Sequence, residues 1–177
     1  MSCGSLQTVH TIGHSTRTIE DFIGLLNAHH ISVLVDVRRW PMSQRHPHFN
    51  RDALSTSLAQ QGIGYLGRQD LGGFRKASPD SPNTAWRVAT FRAYADFMLT
   101  DDFARIIGEV EGLARSERIA IMCAEAVPWR CHRQLLADAL LVRAWNVRHI
   151  MNDGCHAHKL PAFARLEGMR IIYNGFL

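Results

Sequence analysis

Two six-residue runs, 32–37 (Ser-Val-Leu-Val-Asp-Val) and 118–123 (Arg-Ile-Ala-Ile-Met-Cys), are almost continuously apolar and rich in β-branched side chains. They are too short for helices and lack the in-out alternation of a strand with one wet face. Such runs belong to strands buried on both sides, as in parallel sheets covered by helices. The segments between them supply the helices. Phe22, Ile23, Leu25 and Leu26 form a helical stripe after Thr18, with Asp21 three residues on in a capping-box-like start. Asn50 can cap a helix through Gln61 carrying Leu54 and Leu58 on one face. Further helical segments cover 88–99, 102–115 and 130–143, with Asp101 and Asp102 suited to a helix start. Other short strands are expected at 6–14, 62–66 and 146–151. The tail through Pro161 and Gly168 is expected to add a small hairpin ending in 169–173.

Strands alternating with helices predict an α/β fold of three layers, a mostly parallel sheet with helices on both faces. A chain of 177 residues has the length of one domain, so a single domain over 1–177 is expected. One long irregular stretch, 67–86, contains Gly72-Gly73, Pro79 and Pro82, and has the length of a lid or binding loop.

The net charge is +4, and the basic residues are nearly all arginine, since only Lys76 and Lys159 are lysines. Between 38 and 51 lie Arg38, Arg39, Arg45, Arg51, His46 and His48 with no acid. That segment attracts phosphates or carboxylates, although four arginines are a modest footprint for a nucleic-acid groove. No apolar window is long enough for a membrane-spanning helix. The start, Met1-Ser2-Cys3-Gly4, has no basic run or apolar core of a signal peptide, so a cytoplasmic location is expected. In that setting Cys3, Cys123, Cys131 and Cys155 read as free thiols or ligands rather than a disulfide framework.

Ligands of open parallel sheets bind outside the carboxyl ends of the strands. The residues that follow the expected strands are His14-Ser15, then Asp36 with Arg38, then the Gly72-Gly73 loop, then Cys123 and Glu125 with Arg130, Cys131, His132 and Arg133. If the strands are parallel, all of these share one rim. Each also has a plain structural reading. Asp36 and Arg38 can form an internal ion pair, His14-Ser15 can cap a helix, Gly72-Gly73 can be a turn, and Cys123 can finish a buried strand. Glu125, in the apolar loop Cys-Ala-Glu-Ala-Val-Pro, needs a partner if buried, and Arg38 or Arg133 is the expected one. Cys131, beside Arg130, His132 and Arg133 near a helix start, is the expected thiolate. A cysteine-phosphatase loop is excluded because position 129, six after Cys123, is Trp rather than Arg. Cys155-His156-Ala157-His158 and Cys131-His132 offer zinc or iron ligands, but no recurring metal-site spacing is present, and no metal ligand is assigned.

These motifs also carry a resemblance. Thr11-Ile12-Gly13-His14-Ser15, Val35-Asp36-Val37-Arg38 with Pro41 and Ser43, Leu71-Gly72-Gly73, and Met122-Cys123-Ala124-Glu125 with Cys131-His132-Arg133 resemble the bacterial and archaeal family known as domain of unknown function 488. His149-Ile150, Asp153-Gly154 and His158 are similar to its C-terminal pattern, so the resemblance runs from about Val9 to Tyr173. It implies that the rim residues are the family's signature residues.

Two classes of function are open at this point. One is an enzyme acting on a small anionic or nucleotide-like molecule. There, His14, Ser15, Arg38, Ser43, Gly72, Gly73, Arg130, His132 and Arg133 would bind the anion. Asp36 or Glu125 would be the acid or base, and Cys123 or Cys131 the nucleophile or redox thiol. The other is a metal- or redox-sensing module built on thiols and histidines, or a nucleic-acid-binding module using the 38–51 loop. The enzyme leads, because carboxylates among the arginines would line a phosphate groove poorly. No cofactor is specified.

Overall fold

A computed structural model describes residues 7–175; Leu6, expected to open the first strand, and Cys3, expected as a free thiol, lie outside the described residues. The chain is a mixed α/β fold with a six-stranded sheet, five α-helices and a two-stranded hairpin. The sheet contains β1 (Thr8–Gly13), β2 (Val33–Asp36), β3 (Gly64–Gly67), β4 (Ile119–Cys123), β5 (Asn146–Met151) and β6 (Gly154–Ala157), in the order β3-β2-β4-β1-β5-β6. All neighbours are parallel except β5 and β6. The hairpin pairs β7 (Ala164–Glu167) with β8 (Arg170–Tyr173). No helix among the described residues is long and apolar enough to cross a membrane.

Strand alternation sends the two halves of the apolar sequence to opposite faces. Ile12, Leu34, Ala120, Met122 and Ile150 pack on α1 (Ile19–Ala28) and α2 (Arg51–Ala59) through Phe22, Leu26, Leu54 and Leu58. Val9, Val35, Ile119, Ile121 and Val147 face α3 (Ala89–Phe97), α4 (Asp101–Ser116), α5 (Arg133–Val142) and Tyr173 of the hairpin. This gives the three layers that the runs at 32–37 and 118–123 predict, with both of those strands inside the sheet rather than at its edges.

Local signals hold in part. The Thr18 side chain caps α1 by accepting from the Asp21 amide, and Thr100 caps α4 in the same way, from the Phe103 amide. Asn50 precedes α2 but does not cap it with its side chain. Its Oδ1 accepts from the Ser43 amide at 2.6 Å, pinning the basic loop to the helix start. The helix expected from 130 begins at Arg133, because Pro128 initiates a separate 3-10 turn over Pro128–Arg130. Strand β6 has no β-branched residue and was not expected.

Candidate functional site

The ends of β2, β4 and β1 are adjacent, so the expected rim exists. Gly13 pairs with Cys123 and Asp36 with Met122, which brings His14, Asp36 and Cys123 to one level. The loop after β4 is tied back to β1 by two backbone bonds, His14 N–H to Cys123 O at 3.0 Å and Ser15 N–H to Ala124 O at 2.8 Å. This approach requires glycine at position 13: a Cβ there would lie 1.8 Å from the Glu125 carbonyl oxygen. Ser15, with φ of 50°, turns the chain away toward α1.

Above this rim opens a cavity of about 350 Å3. Its floor is Cys123, Cys131, His132 and His14, and its walls include Arg38, Ser43, Gly73, Glu125 and Arg130. Of the other expected site residues, Asp36, Ser15, Gly72 and Arg133 stand behind the lining and support it. Gly72 lets the irregular loop press on the basic loop, since a Cβ there would come within 2.8 Å of the Arg39 Cα.

Cys131 and Cys123 are both buried, and the Cys131 thiol donates to the Cys123 sulfur at 2.7 Å. That bond, with His132 and the positive charge of Arg133, holds the Cys123 thiol well below its ordinary pKa despite burial. Cys131 is pushed the other way, by burial and by donating its proton toward Cys123. Both shifts run against the expectation for Cys131 and favour Cys123 as the sulfur that carries charge. Cys131 directly follows the 3-10 turn Pro128–Arg130 and stands two residues before α5, where its sulfur accepts from the Arg133 amide at 3.5 Å. His132 directs Nε2 at the Val37 carbonyl, 3.3 Å away, and Nδ1 at the Cys131 sulfur, 3.6 Å away.

Glu125 is corrected as well. Its side chain is exposed and forms no ion pair among the described residues. The loop's demand for a partner is met at the backbone, where Arg133 Nη2 donates to the Glu125 carbonyl at 2.6 Å. Arg133 is itself buried and also donates to the Thr11 hydroxyl at 3.3 Å. It clamps the loop from behind. Arg38 likewise turns inward. Its guanidinium grips the fully buried Asp36, with Nη2 to Oδ2 at 2.6 Å, and donates to the Phe49 carbonyl at 2.8 Å. Tyr65 completes Asp36 with a hydroxyl bond at 2.7 Å, and burial with that bond raises the Tyr65 pKa. His14 stacks on Phe49 and presents Nε2 3.3 Å from Arg38 Nη1. Burial and the Arg38 charge lower its pKa to about 4, so it is neutral near pH 7.

The cations left free at the cavity are Arg39 and Arg130, both exposed. Arg39 entered the sequence reading only as part of the basic 38–51 segment, and the apolar mouth formed by Trp40, Met42, Phe74 and Phe91 was missed. Trp40 and Phe74 are 63% and 73% exposed with ring centroids 5.0 Å apart, and Phe74 adopts φ of 60°. The signal available was Trp40-Pro41-Met42, an apolar triplet directly after a strand end within a basic segment.

The profile of the family described as Domain of unknown function DUF488 matches residues 18–140. The chain belongs to this family. The DUF488 match takes in β2, β4, both cavity cysteines and His132, whereas His14 and the histidines of β5 and β6 fall outside it. Neither curated proteins nor solved structures gave a match.

The ligand series Cys155-His156-His158 is divided by the sheet. Cys155 faces the α1 side, half-buried and packed against that core. His156 is exposed and meets Asp153 at 3.0 Å. His158 is buried on the α5 side, in a chain of bonds that sequence reasoning did not foresee. Thr11 Oγ1 lies 2.7 Å from His149 Nδ1, His149 Nε2 lies 2.9 Å from His158 Nδ1, and His158 Nε2 lies 2.7 Å from Asp138 Oδ1. The Tyr173 hydroxyl donates to the other Asp138 oxygen at 2.7 Å.

Proposed function

We propose that this chain is an enzyme that holds a small anionic, nucleotide-like molecule at the carboxyl rim of its sheet and attacks it with the Cys123 thiolate. The observation that carries the reading is the bond from the Cys131 thiol to Cys123 at the floor of a cavity. A buried sulfur supplied with a hydrogen-bond donor, an imidazole and a nearby arginine is equipped as a nucleophile rather than as packing. Trp40 and Phe74 at the mouth suit a planar ring, which aromatic faces bind by stacking. Arg39 and Arg130 suit its phosphate or carboxylate. A cavity of this volume and two free arginines favour a small molecule over a nucleic-acid groove.

The step is a displacement through sulfur. A lone pair of Cys123 forms the bond to the electrophilic centre, and the electrons of the broken bond leave with the departing group, which takes a proton from water. The hydroxide so formed adds its oxygen to the same centre, and the sulfur leaves as thiolate. His14, neutral and fixed by its ring contacts, shapes the floor.

Limited alkylation with iodoacetamide at pH 7, followed by peptide mapping, tests the reading. Cys123 is expected to react first, and adenosine 5′-monophosphate is expected to slow it. Faster labelling of Cys131, or a Cys123 rate indifferent to the nucleotide, would overturn it.

A second reading is a metal centre. The ligand atoms of Cys123, Cys131 and His132 lie within 4.8 Å of one another, and anchoring of the other ring nitrogen at a carbonyl is common for metal-binding histidines. Under that reading zinc blocks alkylation of both cysteines and a chelator restores it.

A further inference from the structure

On the opposite face of the sheet, away from the cavity, three side chains from three elements converge. His10 lies in β1, His29 follows the last turn of α1, and Cys155 lies in β6. We propose that His10, His29 and Cys155 form a binding site for one divalent cation of the zinc class.

The sheet register places two of the three. Ile12 pairs with Ile150, and Ile150 pairs with Cys155, so these side chains share a face. His10, two residues before Ile12, is on that face too. His29 arrives from above, where α1 ends and His30 takes φ of 53° to turn the chain back toward β2. One ligand atom from each residue lies within 4.8 Å of the other two. Tetrahedral zinc with nitrogen at about 2.0 Å and sulfur at about 2.3 Å spaces its ligand atoms by roughly 3.5 Å. Modest side-chain rotation closes that difference.

The independent observation is at His10. Its ring is 2% exposed, yet Nδ1 has no hydrogen-bond partner. A buried ring nitrogen without a partner is costly and uncommon. A cation bound by this ring together with His29 and Cys155 would give the buried imidazole a polar partner. Nitrogen and sulfur donors without a carboxylate select zinc-like cations over calcium or magnesium. On binding, Cys155 releases its thiol proton to solvent and ligates as thiolate. Three protein ligands leave a fourth position for water, and the bond would fasten the edge strand β6 to β1 and α1.

The test uses the full chain without a histidine tag. Peptide mapping follows alkylation of each cysteine separately, with and without one equivalent of zinc chloride. Zinc is expected to slow Cys155 at least tenfold. His29→Ala and His10→Ala should each abolish that protection while leaving the response of Cys123 and Cys131 as in the parent. An unchanged Cys155 rate, or protection that survives His29→Ala, would refute the site. Cobalt provides a second measurement, in C3S/C123S/C131S, where Cys155 is the only cysteine. A sulfur-to-cobalt charge-transfer band that disappears on His29→Ala is expected, and its absence in the parent variant would also refute the site. Neither result depends on whether Cys123 is a nucleophile.

Discussion

Cys131 gives its hydrogen bond to Cys123 across 2.7 Å, and the two thiols thereby become unequal. One sulfur is the acceptor and the other the donor, and both lie at the cavity floor. Cys123 ends β4, and the chain brings Cys131 back to it directly after the 3-10 turn Pro128–Arg130.

Removing the donor should therefore alter a residue that is left untouched. Cys131→Ala is expected to raise the Cys123 pKa and to slow its alkylation at pH 7 by roughly tenfold, through loss of thiolate. Cys131→Ser, which retains a donor, should fall between the two. The pH dependence of the alkylation rate measures both, and a Cys123 profile that does not move in Cys131→Ala would count against the assigned polarity.

Three histidines set the acid limit of the fold. Burial lowers His10 and His14 to about 4 and His149 to about 3, from the usual 6.5. Each is neutral in the folded chain at a pH where the unfolded chain binds a proton. Their contribution is complete above about pH 6.5 and is lost as pH falls through the folded values. Urea midpoints should decline steadily from pH 7 to pH 4, and a flat profile over that window would contradict the burial of these rings.

The Asp36–Arg38 pair is expected to be far costlier to break than to replace. Asp36→Asn leaves a buried guanidinium without its counter-charge and should cost about 3–5 kcal/mol. The double change Asp36→Asn with Arg38→Met should recover much of that loss. Denaturant unfolding of Asp36→Asn, Arg38→Met and the double variant, beside the parent, forms the cycle. Equal losses in the single and double variants would mean that the pair is not the source.

Phe74 is held in the left-handed region, where a residue with a side chain is strained, and its ring projects into solvent. Phe74→Gly should leave stability unchanged or raise it by about 1 kcal/mol. It should also weaken protection of Cys123 by adenosine 5′-monophosphate. A clear loss of stability would show that the ring is there for packing against Trp40.

The sheet was legible in the sequence because β2 and β4 carry continuous apolar runs that only a doubly covered strand tolerates. The neighbourhood of His14, Asp36 and Cys123 followed from parallel connection alone. Strand β6 was not legible, since Gly-Cys-His-Ala has neither alternation nor β-branching and is held by its register with β5. Side-chain direction was the other loss. Arg38 and Arg133 read as ligand-binding cations by position, but both are consumed indoors, one by Asp36 and one by carbonyls of the loop. Glu125 read as paired with Arg38 or Arg133 because its loop is apolar. A loop crossing the rim can expose one side chain among several that are covered, and residue type alone does not say which.

The strand order β3-β2-β4-β1-β5-β6 seats the first strand synthesised between two of the later ones. As the chain leaves the ribosome, β2 and β3 can join at once, but β1 has no neighbour until residues 119–123 emerge, and only one until 146–151 follow. The loop that carries Cys123 and Cys131 is fastened to β1 at His14 and Ser15, so it too must wait for this late insertion. A nascent chain thus cannot bring Cys123 and Cys131 against β1 before residues 119–131 have emerged. Fragments halted short of β4 should expose the apolar flanks of β1 and β2 to chaperones and proteases instead.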